Sequence, residues 1–127
     1  MATTNFRDVI AWQKSYDVSL HIYNLTKSFP KDEIFNLVSQ MRRASVSVCS
    51  NIAEGLGRTG IKEKDQFYAI AKGSLTEVEC QTEIARGVGI INDAQLAEAL
   101  HIIKEAQRVL AGLQKANKER NIEAKIL

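Results

Sequence analysis

The sequence has little of what strand-rich, disulfide-bonded or membrane-spanning proteins require. Its 127 residues include seven glycines and one proline, few for an all-β protein with many tight turns, so long helices joined by short loops are favoured. No stretch approaches the roughly 18 apolar residues of a transmembrane helix, and the N-terminus has no apolar segment typical of a secretory signal. We therefore expect a cytoplasmic protein without a membrane anchor.

Cysteine is also scarce. Cys49 and Cys80 are the two cysteines, and they form neither a C-x-x-C pair nor a Cys/His spacing typical of metal sites. Both fall inside helical patterns, where cysteine usually behaves as a small apolar residue. We expect two reduced, largely buried thiols.

An excess of charge of one sign is missing as well. Seventeen Lys and Arg face fifteen Asp and Glu, a formal net charge of +2, which is far from the concentrated basicity of a typical nucleic-acid-binding domain. A phosphate-binding surface would therefore depend on local arrangement, or on several subunits that repeat a few basic groups. A content of 45% hydrophobic and 25% charged residues is typical of a folded protein, and the length predicts one domain.

Apolar residues at helical spacing predict four helices, over about 8–28, 31–55, 60–87 and 93–117, followed by a charged tail, about 118–127, that is expected to fray. Short breaks containing proline or glycine separate the segments. Helices of this length joined by short loops are typical of antiparallel neighbours. The predicted fold is therefore all-α, an antiparallel up-down-up-down four-helix bundle.

Helices 2 and 3 each carry a stripe that should face the core. The helix 2 stripe is Ile34, Leu37, Met41, Ser45, Val48 and Ile52. The helix 3 stripe is Phe67, Ala71, Ser74, Val78, Thr82 and Ala85.

Both helices also carry small or apolar residues away from these stripes. They are Phe35, Val46, Cys49 and Ala53 on helix 2, and Ala69, Ile70, Gly73, Cys80 and Ile84 on helix 3. A glycine in mid-helix costs about 1 kcal/mol relative to alanine and usually has a packing reason. The pattern favours a subunit interface; the alternative is that both flanks pack within one wide bundle.

Glu77 is the single acid on that side of helix 3. A covered carboxylate needs partners, and the candidates are Arg43, Asn51 and Arg58. A structural polar network is favoured over a catalytic acid, because no companion nucleophile or base is visible.

Other chemistry has weaker support. Glu98 and His101 match the Glu-x-x-His element of di-iron bundles, but there is one copy and it is rotated away from the core stripe of helix 4. The glycine-rich segment 55–60 joins two helices and lacks the strand and lysine of nucleotide-binding loops. Exposed aromatic residues that could stack on bases are expected to be scarce. We predict no enzyme activity, metal or cofactor.

Several short stretches match the pattern of a known family. They are Phe6-Arg7-Asp8, Trp12-Gln13-Lys14, Ile22-Tyr23, Leu25-Thr26, Phe29-Pro30, Gln40-Met41-Arg42-Arg43-Ala44, Asn51-Ile52-Ala53-Glu54-Gly55, Gly57-Arg58 and Ala71-Lys72-Gly73-Ser74-Leu75-Thr76-Glu77. In these stretches, over residues 6 to about 95, the chain resembles the four-helix-bundle 23S ribosomal RNA intervening-sequence proteins. Helix 4 and the tail are similar only in length and amphipathicity.

The resemblance implies an up-down four-helix subunit that commonly assembles into a homopentamer and has no assigned enzymatic activity. It also implies a fold similar to the accessory protein of diversity-generating retroelements, a pentamer that binds reverse transcriptase and nucleic acid. Two roles remain open: binding of ribosomal RNA, or a scaffold for a protein partner such as a reverse transcriptase. The family pattern falls on a structural or interface network of Arg43, Asn51, Glu54, Gly55, Arg58, Gly73, Ser74 and Glu77.

If nucleic acid is bound, basic side chains must supply the contacts, because phosphate neutralisation dominates non-specific affinity. The candidates are Lys14, Arg42, Arg58, Lys115, Lys118 and Arg120.

Overall fold

The computed structural model describes residues 5–126, with side chains over residues 5–120. In that range the α-helices are α1 (Ile10–Thr26), α2 (Ser39–Gly57), α3 (Ile61–Gly87) and α4 (Asp93–Ile126), and no strand is present. Each helix packs on its neighbours in sequence, and α4 also packs on α1. This closed order confirms the predicted all-α, up-down four-helix bundle. No helix among these residues is long and apolar enough to cross a membrane.

The first helix is shorter than predicted at both ends. A separate 3-10 turn, Phe6–Asp8, precedes it, and the Asn5 side chain caps this turn by accepting the Arg7 amide hydrogen at 3.0 Å. Val9 is extended and separates the two elements, so α1 begins at Ile10. The helix ends at Thr26, close to Pro30, because proline disfavours helical geometry in the residue before it.

The segment before α2 is not the continuous α-helix that the sequence predicts. Lys31–Glu33 form a 3-10 turn and Ile34–Val38 a π-helical stretch, so α2 proper begins at Ser39 and ends at Gly57. A π turn holds more residues than an α turn, so it rotates the preceding side chains off the α-helical stripe. Ile34 is accordingly 47% exposed and does not belong to the core.

Helix α4 continues to Ile126 and includes most of the predicted tail. Residues 118–126 contain no glycine or proline and are rich in residues with good helix propensity, so nothing in the sequence stops the helix at Asn117. Residue 127 lies outside the described residues.

The core is built largely from the predicted stripes of α2 and α3. Met41, Val48 and Ile52 are fully buried. Phe67 is a correction, because it is only partly buried and its neighbour Tyr68 takes the core site instead.

Helix α1 buries several small side chains and exposes three large ones. Its most deeply buried residues are Ala11, Ser15, Val18 and Ile22. Tyr16, Leu20 and Tyr23, which we call the α1 stripe, are 41 to 52% exposed. Three apolar residues at helical spacing on α1 therefore lie on an outer surface.

Candidate functional site

The interface between α2 and α3 contains a small polar network. The hydroxyl oxygens of Ser47 and Ser74 lie 2.9 Å apart, joining the two helices. The Asn51 amide donates hydrogen bonds to the carbonyl oxygen of Ser47 at 2.8 Å and to its hydroxyl at 3.1 Å. Two residues of the expected network, Asn51 and Ser74, are thus joined through Ser47, which the sequence analysis did not single out.

Gly55 of α2 lies in close contact with α3. A Cβ at this residue would stand 2.6 Å from Cε1 of Tyr68 and 3.1 Å from Cβ of Phe67, so no larger residue fits without movement. The Lys64 ammonium donates to the carbonyl oxygens of Gly55 and Leu56 at 3.1 and 3.0 Å. Lysine at this place satisfies carbonyls that the end of α2 leaves free.

Arg58 is held by an ion-pair cluster at the turn between α2 and α3. Its guanidinium is 2.6 Å from the Glu54 carboxylate and 3.4 Å from that of Glu63, and it lies 5.0 Å from the centre of the Phe67 ring. The structure does not bring Glu77 to this cluster or to Asn51. Arg58 therefore forms exposed ion pairs within the subunit, and its contact with phosphate stays a prediction.

Arg43 and Glu77 meet instead at an open groove of about 400 Å³ between α2 and α3, which we call the α2–α3 groove. Both side chains are exposed, and none of the hydrogen bonds or ion pairs between described side chains involves either of them. The groove is lined by Phe35, Ser39, Gln40, Arg43, Ala44, Ser47 and Glu77. Phe35 at its edge is 96% exposed.

Gly73 lies on α3 one turn before Glu77. A Cβ built at Gly73 has no heavy atom within 4 Å, so contacts within the chain give no reason for glycine. Ile70 and Ile84 on the same outer side of α3 are 52 and 49% exposed.

Arg42 has a structural role at the end of α1. Its Nε donates to the Thr26 hydroxyl at 2.9 Å, its Nη2 donates to the Tyr23 carbonyl oxygen at 3.3 Å, and the guanidinium lies 4.6 Å from the centre of the Tyr23 ring. A cation is favourable at a helix C-terminus. Arg42 therefore joins α2 to the last turn of α1.

Lys14 lies apart from the other candidate basic residues. It lines a groove between α1 and α4 with Asp17, His101, Ile102 and Glu105. The two carboxylates at this groove make it an unfavourable place for phosphate.

The remaining basic candidates gather where α3 begins and α4 passes it. Asn117 donates to the carbonyl oxygen of Ile61 at 2.9 Å and so fixes the register of the two helices. We call this region the basic end; its members are Lys62, Lys64, Lys115, Lys118 and Arg120.

Two pairs of these cations, Lys62 with Lys118 and Lys64 with Arg120, lie near one another across the contact of α3 with α4. Lys62 and Lys118 line one groove of about 240 Å³, which also contains Asp65. Burial, and then the positive charge of Arg120, lower the pKa of Lys64. The sequence analysis did not identify Lys62 or Lys64, because only the pairing of α3 with α4 places them beside the end of α4.

Neither cysteine forms a disulfide, and the two differ in burial. Cys49 is partly buried, whereas Cys80 is exposed, which corrects the expectation of two largely buried thiols. Cys80 lies on the outer side of α3, where it is exposed among the described residues. Among the residues described, no group of three or more His, Cys, Asp or Glu side chains could hold a metal ion.

Fold and surface together define a four-helix bundle with uncovered apolar faces and one basic end. The family model described as 23S rRNA-intervening sequence protein matches residues 7–112, so the chain belongs to this family. Among solved structures, the chain is similar to a protein with unknown function from the S23 ribosomal protein family of Bacteroides thetaiotaomicron. The two share 22% sequence identity and a TM-score of 0.76, over 83% of this chain and 98% of that one. The search of curated proteins found no match.

Proposed function

We propose that this protein is a non-enzymatic, homo-oligomeric accessory protein that binds ribosomal RNA through its basic end. The observation that carries the proposal is the gathering of Lys62, Lys118 and Arg120 where α3 meets α4. They lie beside Lys64, whose ammonium is held by two backbone carbonyl oxygens at the end of α2. The family description, which refers to an intervening sequence of 23S rRNA, supports RNA as the ligand.

The amide groups at the start of α3 add to the positive potential of this end. The N-cap residue, Gly60, offers no side chain to accept hydrogen bonds from the first turn of the helix. Backbone N–H groups at a helix N-terminus favour anions such as phosphate. Glu63, Asp65 and Glu119 lie nearby and oppose the effect, so the local charge is positive but modest.

A subunit with a net charge of +2 neutralises few phosphates, so appreciable affinity requires several copies of the basic end on one particle. Exposed apolar residues on the outer sides of α1, α2 and α3 support self-association, because extended apolar surface is rare on monomers. On family grounds we propose a homopentamer.

The experiment measures binding of the oligomer to a 23S rRNA fragment by fluorescence anisotropy, between about 50 and about 200 mM salt. We expect steeply salt-dependent binding. Replacing both Lys118 and Arg120 with glutamate should weaken it by roughly tenfold or more, because two phosphate contacts become repulsive. Lys31→Glu is the matched control: it reverses an exposed lysine at the opposite end of the bundle and should change affinity little.

Two results would overturn the proposal. One is an intact oligomer that shows no binding at low salt. The other is a folded, monomeric Gly73→Glu variant that binds the RNA as tightly as the parent protein, since the mechanism requires repeated basic ends.

A second candidate function, a scaffold for a protein partner such as a reverse transcriptase, is favoured by a different observation. Phe35, Ile84 and Val88 are 96, 49 and 66% exposed, and the antiparallel pairing of α2 with α3 places them near the end opposite the basic end. A reverse transcriptase gene beside the gene for this protein would identify the partner to test. Phe35→Asp should then abolish binding of that purified enzyme, while the Lys118/Arg120 variant should retain it.

A further inference from the structure

Two uncovered surfaces of the bundle differ in shape. The α1 stripe is convex, because Tyr16, Leu20 and Tyr23 project from α1 at successive helical turns. The α2–α3 groove is concave and has the small residues Ala44 and Ser47 in its lining. Gly73 lies beside it on α3 with open space where a side chain would be.

We infer that these surfaces are the two halves of one head-to-tail interface, in which the α1 stripe of one copy inserts into the α2–α3 groove of the next. The inference rests on the self-association proposed above and specifies its geometry. A heterologous contact of this kind uses two different patches of each subunit, so every copy both inserts and receives.

The polar groups of the two surfaces complement each other. The groove contains the charged side chains of Arg43 and Glu77, which have no partner among the described side chains, while the stripe contains two tyrosine hydroxyls that can donate and accept hydrogen bonds. Of the ionisable residues that border the stripe, Lys27 and Arg42 are basic and complement the Glu77 carboxylate, and Asp17 is acidic and complements the Arg43 guanidinium. An aromatic stripe with polar tips is typical of the centre of a protein interface.

The available face approaches the size of a standard contact. Helix α2 has 19 residues and is therefore about 28 Å long. A face formed by α2 and one neighbouring helix, each about 10 Å wide, projects to roughly 560 Å², and its accessible area is larger because side chains are not flat. A standard interface takes about 800 Å² from each partner.

The placement of the two surfaces favours a closed assembly. Arg42 of α2 covers Tyr23, so the stripe lies on the α2 side of α1, whereas the groove lies on the α3 side of α2. The two faces are therefore adjacent sides of the bundle, with outward directions roughly 90° apart. Head-to-tail contacts at about 90 to 108° are the angles of rings of about four or five copies, which close when successive copies are not shifted along the ring axis.

The test uses two variants that each disable one half of the interface. Leu20→Glu charges the stripe, and Gly73→Glu fills the groove side with a charged side chain; both sites are exposed, so the subunit should stay folded, which circular dichroism checks. We expect each variant alone to be monomeric by native mass spectrometry. An equimolar mixture should form a 1:1 heterodimer, because the intact stripe of Gly73→Glu can still enter the intact groove of Leu20→Glu.

Ile10→Glu is the matched control. Ile10 is an exposed apolar residue of α1, but it faces α4, where it lines a groove with Val109 and Leu113. This variant should retain the parent assembly.

Each other outcome contradicts the inference in a recognisable way. If Leu20→Glu remains oligomeric while Gly73→Glu is monomeric, the groove pairs with itself and the stripe has another role. If Leu20→Glu remains oligomeric but loses RNA affinity, the stripe binds nucleic acid. If two monomeric variants do not form the heterodimer, the surfaces do not pair. A monomeric parent protein would refute self-association itself, and with it the proposed function.

Discussion

Gly55 of α2 lies so close to the ring of Tyr68 on α3 that a Cβ at residue 55 would be 2.6 Å from Cε1 of the tyrosine. Tyr68 is only 2% exposed and cannot move aside into solvent. Because residue 55 has no side chain, α2 and α3 can lie this close together near the turn that joins them. Gly55 has a packing role within a single subunit, in contrast to Gly73, which contacts no neighbouring element.

Gly55→Ala should therefore destabilise the protein although alanine is the better helix former. Overpacking of a filled core typically costs about 1 to 3 kcal/mol. Gly112→Ala is the matched control, because a Cβ at this helical residue of α4 meets nothing within 4 Å. That change should stabilise by about 0.5 to 1 kcal/mol. Urea denaturation at equal protein concentration measures both, and two changes of the same sign would contradict the packing argument.

The hydrogen bond between Ser47 and Ser74 should be measurable as an energetic coupling. Ser74→Ala and Ser47→Ala each remove the shared bond, so the double variant should cost less than the sum of the single changes. We expect a coupling of about 0.5 to 1.5 kcal/mol. A coupling near zero in a double-mutant cycle would show that the two hydroxyls, 2.9 Å apart, do not stabilise the contact of α2 with α3.

Arg42 should contribute to stability rather than to RNA binding. Arg42→Gln removes the charged donor from the end of α1, and we expect a loss of about 1 to 2 kcal/mol in the free energy of unfolding. Arg120→Gln makes the same substitution at an exposed arginine near Lys64 and should change stability little or raise it, because repulsion between two cations is relieved. If Arg42→Gln lowers RNA affinity without lowering stability, the assignment is wrong.

Helical periodicity identified the number and order of the helices, because long amphipathic segments and short breaks leave one simple packing solution. It could not identify which side of α1 faces the core. Tyr16, Leu20 and Tyr23 are more apolar than the buried Ser15, and the burial of Ser15 is possible because its hydroxyl donates to the carbonyl oxygen of Ala11 at 2.8 Å. This local bond satisfies a hydroxyl that the sequence alone marks as polar.

Two of the exposed aromatic residues, Tyr16 and Tyr23, lie on this outer side of α1. The sequence analysis expected few aromatic rings at the surface, yet Tyr16, Tyr23 and Phe35 are exposed. Phe35 lies in the π-helical stretch, which a regular period of 3.6 residues cannot represent.

The sequence predicted individual residues of the candidate sites, but it did not predict which of them lie close together in the fold. Periodicity placed Arg43 and Glu77 on the outer sides of their helices, where the structure has them. The basic end depends on the register of α4 against α3, which the contact of Asn117 with Ile61 sets. Such a contact spans 56 residues of sequence, and single-helix patterns carry no information about it.

Cys49 provides a pH-dependent test of the contact between α1 and α2. Burial raises the pKa of its thiol from 9.0 to about 11, an effect that the hydrogen bond with Ser19 partly opposes. Below about pH 9 the thiol is protonated in both the folded and the unfolded chain, so it contributes no pH dependence. Between about pH 9 and about pH 11 the unfolded chain loses the proton first, and the free energy of unfolding should fall as pH rises.

Urea denaturation at several pH values up to about 10.5 measures this fall. Other groups also titrate there, so the informative quantity is the difference between variants. Cys49→Ser should reduce the pH dependence relative to the parent protein, because serine does not ionise in this range. An unchanged pH dependence would show that Cys49 is not held in the partly buried site between α1 and α2.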